Sequence, residues 1–103
     1  MKVFVSYTMR DGYITPTVLR MIERILINEG HSVFIDYLNN DSEKKQERVI
    51  RELKSSDQVI LLISPLVKKS QWVNKELVCA NKHHIKVVPY IFRDNILKQH
   101  HYA

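Results

Sequence analysis

The sequence predicts an α/β fold, a three-layer sandwich with helices on both faces of a parallel sheet. Two observations favour it. Short apolar strand patterns alternate with helix patterns along the 103 residues, a length typical of one domain. The run Val59 to Ile63 is wholly apolar, with three of its five residues β-branched, which is typical of a strand covered on both faces. The order βαβαβαβ then implies parallel strands joined by right-handed crossovers.

The first half of the chain supplies two strands and a helix. Val3 to Val5 is the first strand. Thr15 followed by Pro16 predicts a helix start, because a side-chain cap precedes a proline at the first helical position. Gly30 ends this helix as a left-handed cap. Ser32 to Ile35 is the second strand.

The second half repeats the alternation. Asp41 to Glu43 begins a second helix, which is strongly charged except for a narrow apolar stripe. Ser70 caps a third helix, for which we expect Val73, Leu77 and Ala80 to point inward. Lys86 to Phe92 is the fourth strand. Because Pro89 has no N–H to donate to a ladder, this strand is predicted to be an open edge.

The composition excludes several classes of protein. Hydrophobic residues make up 45% and charged residues 26%, as in ordinary globular domains. No apolar run approaches the ~20 residues of a membrane span, and the first residues do not resemble a signal peptide. The single cysteine, Cys79, excludes a disulfide framework, so we expect an intracellular, cytoplasmic protein. We expect one domain over residues 1–92 and a short C-terminal tail over 93–103.

The net charge of +5 raises the question of a nucleic-acid partner. The basic residues are dispersed, and most of them fall on amphipathic helix patterns. We therefore expect solvated helix faces, and neither nucleic acid nor a membrane as a partner.

Familiar catalytic and metal motifs are absent. The only glycines are Gly12 and Gly30, so there is no glycine-rich phosphate loop. The histidines at 83–84 and 100–101 are adjacent pairs that point apart on a helix, so no metal site is expected. Cys79 has no histidine placed to act as its base, and we expect it to be a small packed residue.

One pair of residues fits a ligand site. In a flavodoxin-like order 2-1-3-4, the crevice lies outside the carboxyl ends of strands one and three, facing the loops 6–15 and 64–70. Trp72 and Glu76 are four residues apart and therefore share a helical face. With Ser70 as the cap, Glu76 lies about 9 Å along the helix axis, behind the crevice mouth. By spacing alone, a solvated glutamate beside a tryptophan at the core edge is the more common arrangement.

Five sequence boxes, in order and at suitable spacing, resemble those of the TIR domain family (Toll/interleukin-1 receptor/resistance). The third-helix box has the S-x-W-x-x-x-E-L pattern. The resemblance runs from about residue 2 to residue 92, and the fold it implies is the flavodoxin-like sheet predicted above. The boxes are Phe4 to Tyr7, Gly30 to Asp36, Ser55 to Pro65, Ser70 to Leu77, and Lys86 to Pro89.

The resemblance implies an enzyme that cleaves NAD at the nicotinamide–ribose bond and makes ADP-ribose or a cyclic isomer. NAD is then the substrate, and no cofactor is expected. The family's essential glutamate corresponds to Glu76 and its companion tryptophan to Trp72, while Ser6 and Tyr7 would line the same pocket. The nicotinamide ring is a cation that leaves neutral, so it needs no general acid. A fixed carboxylate can stabilise the positive charge that develops on the ribose.

Four further residues are candidates for the substrate pocket. Arg10, in the loop after the first strand, is the favoured contact for the diphosphate, with a solvated loop charge as an equal alternative. A helix N-terminus, either at Thr15–Pro16 or at Ser70, could also receive the diphosphate, with Lys68 or Lys69 nearby. Asp11 either lines the pocket or, slightly favoured, caps its own backbone. Ser64 ends the third strand at the same edge of the sheet.

The sequence departs from the family pattern twice. The loop Tyr37 to Asn40 is short and lacks the usual arginine-aspartate and proline-glycine signature, and the family usually adds a helix, a strand and a helix after the fourth strand. We therefore expect a C-terminally shortened fold whose open edge a partner could cover. The expected role is bacterial stress or anti-phage signalling, with TIR–TIR self-association and a product sensed by a separate effector. A non-catalytic TIR–TIR scaffold and a nucleoside deoxyribosyltransferase-like enzyme remain the alternatives.

Overall fold

The structure is a computed structural model that describes residues 1–100. These residues form a five-stranded sheet with helices on both faces. A single 3₁₀ turn, Val67–Lys69, precedes the last helix. The strands are β1 (Lys2–Ser6), β2 (Ser32–Phe34), β3 (Gln58–Leu62), β4 (Lys86–Arg93) and β5 (Ile96–Gln99). The helices are α1 (Pro16–Asn28), α2 (Asp36–Asn39), α3 (Lys45–Lys54) and α4 (Gln71–Lys82).

The sheet has the order β2-β1-β3-β4-β5. The first four strands are parallel, and β5 is antiparallel to β4. The predicted flavodoxin-like fold and the order 2-1-3-4 are therefore confirmed, with one strand added. The carboxyl ends of β1 and β3 meet at one edge, where the expected crevice lies.

Two apolar clusters fill the space between the sheet and its helices. Neighbouring residues of a strand point to opposite faces, so Val3 and Val5 pack under α1 while Phe4 packs under α3 and α4. The rings of Phe4 and Phe34 stack with centroids 5.7 Å apart. Burial of the sheet on both faces explains the continuous apolar run of β3.

The predicted start and end of α1 and the predicted start of α4 at the Ser70 cap are confirmed. Thr15 Oγ1 accepts a hydrogen bond from the Val18 amide at 3.2 Å, and Pro16 is the first helical residue. Gly30 has φ +90°, and its amide bonds the carbonyl of Ile27 at 2.9 Å, so it closes α1 in a left-handed conformation as expected.

The prediction that the fourth strand is an open edge is wrong. Asp94 and Asn95 have φ of 53° and 62° and form a two-residue turn, typical of type I′ hairpins, which returns β5 alongside β4. The β4–β5 ladder begins at Tyr90, so Pro89 lies just outside it and uses only its carbonyl, which accepts from the His100 amide at 2.8 Å. Residues 96–99 of the predicted tail thus form a strand, whereas 101–103 lie outside the described residues.

The segment after β2 also differs from expectation. The short helix α2 occupies most of the predicted loop, held by Asn39 Oδ1, which accepts from the Ile35 amide at 2.7 Å. The helix α3 begins at Lys45 rather than at Asp41, because the Ser42 hydroxyl accepts from the Lys44 amide at 3.1 Å and closes a turn first. Within residues 1–100, none of the helices has the length and apolar character needed to cross a bilayer.

Candidate functional site

The centre of the candidate site is a buried contact between Ser6 and Glu76. The Ser6 hydroxyl donates a hydrogen bond of 2.7 Å to Glu76 Oε1, and the two residues are 1% and 3% exposed. Ser6 is the last residue of β1, so the contact lies at the carboxyl end of the sheet's central part. Because Ser70 caps α4 through the Val73 amide, the inward stripe of this helix runs through Val73 and Glu76.

This placement changes one sequence expectation. Leu77 was expected to point inward, but it is only half-buried, and Glu76 takes the buried position on that stripe. A carboxylate replaces an apolar residue at a core position of α4. Buried acids are rare in protein interiors unless they are paired, so Glu76 is a candidate functional residue.

The environment of Glu76 makes its ionisation costly. Burial raises the pKa of Glu76 to about 7, and the nearby negative charge of Asp36 acts in the same direction. Hydrogen bonds from Ser6 and Trp72 oppose the rise, because they stabilise the ionised form. A carboxyl with its pKa near neutrality can be either charged or neutral under ordinary conditions, so a ligand can set its state.

Tyr7 connects the end of β1 to the segment after β2. Its hydroxyl accepts a hydrogen bond of 3.0 Å from the Tyr37 amide at the start of α2. Burial raises the pKa of Tyr7 to about 12, and Asp36 and Glu76 add to the effect. The phenol therefore stays neutral, and its proton remains available to donate toward an acceptor.

The segment between β2 and α3, which includes Asp36, is held in place by polar contacts of its own. The Asn40 side-chain amide donates to Asp36 Oδ1 at 2.7 Å and to the Lys45 carbonyl at 3.0 Å. In return, Lys45 Nζ donates to the Asn40 carbonyl at 2.7 Å. Sequence reasoning missed Asn40, and its signal is weak: an asparagine after a strand more often closes a local turn.

A hollow of about 150 Å³ lies beside this cluster. It is lined by Asp36, Lys45, Gln46, Val49 and Trp72. It reaches the indole but not Glu76, whose carboxylate is closed off by its neighbours. The hollow is smaller than most ligand pockets, which have roughly 300–1,000 Å³.

The structure brings together four of the eight residues predicted for the site. Ser6, Trp72 and Glu76 are in contact, and Tyr7 lies within electrostatic reach of Glu76. The other four have separate positions, and no contact of theirs with Glu76 occurs in the part of the chain that the structure describes. These four are Arg10, Asp11, Ser64 and Ser70.

Each of these four has another environment. Arg10 is exposed. The Ser70 hydroxyl accepts the hydrogen bond from the Val73 amide that caps α4. Ser64 is buried and lines a separate hollow of about 300 Å³ with Tyr13 and Arg93 among its neighbours.

Asp11 links the loops that follow β1 and β3. Its carboxylate accepts hydrogen bonds from the amides of Leu66 at 2.8 Å and Tyr13 at 3.0 Å. Burial opposes its ionisation, but these backbone donors outweigh burial and lower the pKa of Asp11. The contacts fit the capping alternative, with the added feature that the two loops are tied together.

Across residues 1–100, the histidine, cysteine, aspartate and glutamate side chains form no group of three or more that could hold a metal ion. Cys79 Sγ lies 3.8 Å from His83 Nδ1. That histidine nitrogen lies 2.9 Å from the Cys79 carbonyl, a local contact at the end of α4.

Comparison with known proteins agrees with this architecture. Among solved structures, the chain is similar to the TIR domains of the activated Roq1 resistosome, described as directly recognizing the pathogen effector XopQ, with a TM-score of 0.69 and 23% identity over 87% of this chain. The chain spans 56% of the length of that structure. It is also similar to a 2-deoxyribosyltransferase from Bacillus psychrosaccharolyticus, with a TM-score of 0.64 and 15% identity over 93% of this chain and 76% of the other.

At these identities, the structural matches establish the fold alone. No curated protein matches the sequence. The family comparison is more specific, since the sequence model of the TIR domain matches residues 3–103, nearly the whole chain. The resemblance noted from the five sequence boxes is therefore confirmed, and the chain belongs to the TIR domain family.

Proposed function

We propose that this TIR domain is an NAD⁺ nucleosidase that cleaves the nicotinamide–ribose bond, with Glu76 as its catalytic residue. One observation carries the proposal: the buried hydrogen bond of 2.7 Å between Ser6 and Glu76, one helical turn from Trp72. A carboxylate kept in a core position, where an apolar side chain would be more stable, is typical of a catalytic group.

The chemistry requires little more than this carboxylate. The bond from the ribose C1′ to the nicotinamide nitrogen breaks with its electron pair going to the nitrogen, so the ring leaves neutral and positive charge develops on the ribose. Ionised Glu76 stabilises that charge, and Ser6 fixes the orientation of the carboxylate. Water then adds at C1′ to give ADP-ribose, or a ring nitrogen of the adenine adds to give a cyclic isomer.

The substrate itself can supply the charge state that the reaction needs. Free Glu76, with its pKa near 7, is partly neutral at neutral pH. A cationic nicotinamide ring beside it favours the ionised form, because an opposite charge lowers a carboxyl pKa. The tuned pKa therefore links substrate binding to activation of the carboxylate.

Substrate access requires movement of the segment at residues 36–40. Glu76 is 3% exposed. The Tyr37 amide donates a hydrogen bond to the hydroxyl of Tyr7, which follows Ser6 in the chain. Release of this contact and of the Asp36–Asn40 contact would open the existing hollow beside Trp72 toward the carboxylate. Trp72 would then form an aromatic wall for a nucleotide ring.

We place this activity in the cytoplasm, in bacterial stress or anti-phage signalling, with TIR–TIR self-association and a separate effector that senses the product. The support is the fold shared with the TIR domains of the activated Roq1 resistosome, which directly recognizes a pathogen effector. NAD is the substrate in this proposal, and no additional cofactor takes part.

The test is product analysis with purified protein at high concentration. We expect nicotinamide release from NAD⁺ by the native sequence and a loss of at least about 100-fold in Glu76→Gln, on the scale of removing a charge-stabilising group. Glu47→Gln, on the exposed outer side of α3, is the matched control and should retain full activity. Equal rates in the native sequence and in Glu76→Gln would contradict the proposal.

The deoxyribosyltransferase reading has one observation in its favour. The chain shares its fold with a 2-deoxyribosyltransferase over 93% of its length, and a buried carboxylate suits chemistry at a sugar carbon. Incubation with a 2′-deoxynucleoside and a different free base separates the two enzymes. Base exchange without cleavage of NAD⁺ would replace the nucleosidase by the transferase.

The non-catalytic module is favoured by the closure of the site. A carboxylate that stays sealed would serve only to hold α4 against β1. Sedimentation of the native chain over a range of concentrations, run beside the activity assay, tests this reading. Self-association without turnover of either substrate would support the scaffold.

A further inference from the structure

A second concave surface lies far from Glu76, on the opposite face of the sheet. We call it the α1–hairpin groove, and it has a volume of about 420 Å³. It is lined by Thr17, Arg20, Met21, Arg24, Ile25 and Asn95. The volume falls within the range of small-molecule sites.

The fold itself forms this groove. The five helical residues are spaced i, i+3, i+4, i+7 and i+8, so they share one stripe of α1. Leu97 of β5 packs against the cluster that holds Leu19 and Ile22 of α1. This packing brings the hairpin turn beside the helix, where Asn95 forms the end wall.

The groove combines positive charge with an apolar floor. Met21 and Ile25 are half-buried, whereas Arg20 and Arg24 are exposed above them. No acidic residue lines the groove, and none of the ion pairs formed within residues 1–100 involves either arginine. Asp94, which precedes Asn95, lines a different hollow on the other side of the hairpin.

Glu23, the acidic residue next to Arg24 on α1, also has a partner outside the groove. Glu23 accepts a hydrogen bond of 3.0 Å from the Asn39 side-chain amide on the opposite flank of the helix. Two guanidinium groups therefore face the groove without a carboxylate to neutralise them. Residues four apart on a helix have Cβ atoms about 5–6 Å apart, so both guanidinium groups can reach one bound anion.

We infer that the α1–hairpin groove binds a mononucleotide, with its phosphate between Arg20 and Arg24 and its base over Met21 and Ile25. Planar guanidinium groups match the oxygens of a phosphate and bind it with charge-assisted hydrogen bonds. The amide of Asn95 presents both a donor and an acceptor, as required at the edge of a base. The inference is independent of the activity proposed for Glu76.

Binding of adenosine 5′-monophosphate to the full chain tests the inference, measured by calorimetry with adenosine and inorganic phosphate as comparison probes. We expect saturable binding of the nucleotide, and affinity at least about tenfold weaker for each comparison probe. Arg20→Gln and Arg24→Gln should each weaken nucleotide binding by about tenfold, the scale of one charge-assisted contact. Arg51→Gln, an exposed arginine on α3, should bind as tightly as the native sequence.

Two outcomes would overturn the inference. One is equal affinity for the nucleotide and for adenosine, since the arginines would then contribute nothing. The other is nucleotide binding that survives Arg20→Gln but is lost in Trp72→Ala, which would place the ligand in the hollow beside Trp72. Because the monophosphate has no nicotinamide–ribose bond, this result stands apart from the outcome of the cleavage assay.

Discussion

Replacing Glu76 by glutamine should change how stability depends on pH. Burial raises the pKa of this carboxyl from an ordinary 4.5 to about 7 in the folded chain. Between these two values the folded chain holds a proton that the unfolded chain has released. The free energy of unfolding of the native sequence therefore falls as pH rises through this window, because the folded state binds more protons.

The magnitude follows from the size of the shift. A change of one pKa unit corresponds to 1.36 kcal/mol, so the shift of Glu76 amounts to about 3 kcal/mol of stability lost between pH 4.5 and pH 7. The Glu76→Gln variant has no such loss, because an amide does not titrate. The cost of burying the amide is the same at every pH, so the difference between the two curves isolates the carboxyl.

Urea denaturation of both proteins at pH 5, 6, 7 and 8 measures this difference. The native sequence should lose about 2.5 kcal/mol relative to Glu76→Gln between pH 5 and pH 8, because a small part of the loss already occurs below pH 5. The two proteins differ only at residue 76, so the contributions of all other groups cancel in the comparison. Parallel curves would refute the reasoning, since they would mean that Glu76 is ionised and solvated throughout.

Three further predictions concern single residues. Ser6→Ala removes a hydrogen bond that lowers the pKa of Glu76, so the half-maximal pH of the proposed cleavage should move upward in a pH–rate profile. His84 has φ 58°, so His84→Gly should raise the free energy of unfolding by about 0.5–1 kcal/mol in urea, whereas His83→Gly should lower it. In Asp11→Ala, the loss of an acceptor should speed hydrogen exchange at the Leu66 amide by about tenfold, and an unchanged rate would mean that this contact does not hold the two loops together.

Most of the fold could be predicted because it depends on local patterns. The apolar run at residues 59–63 identifies a central strand, and Thr15 and Ser70 identify helix starts by their side chains. The strand β5 was missed because only Ile96 and Leu97 of its four residues are apolar. The signal for β5 in the sequence is the turn pair Asp94–Asn95 before it. Both residues adopt positive φ although neither is glycine.

The candidate site was predictable only in part. The i, i+4 spacing places Trp72 and Glu76 on one face of a helix, but it does not say whether that face is buried. The burial of Glu76 depends on its packing against Ser6, which is 70 residues away in the sequence. The directions of Arg10 and Ser64 depend on loop conformation, which has no period that the sequence reveals.

The outer strands of the sheet are short. The strand β2 has three residues and β5 has four, and Lys98 of β5 is exposed. Short outer strands, one of them with an exposed lysine, give little template for adding a further strand, which discourages amyloid-like growth. Edge-to-edge pairing of strands between copies of this chain is therefore disfavoured, even at high protein concentration.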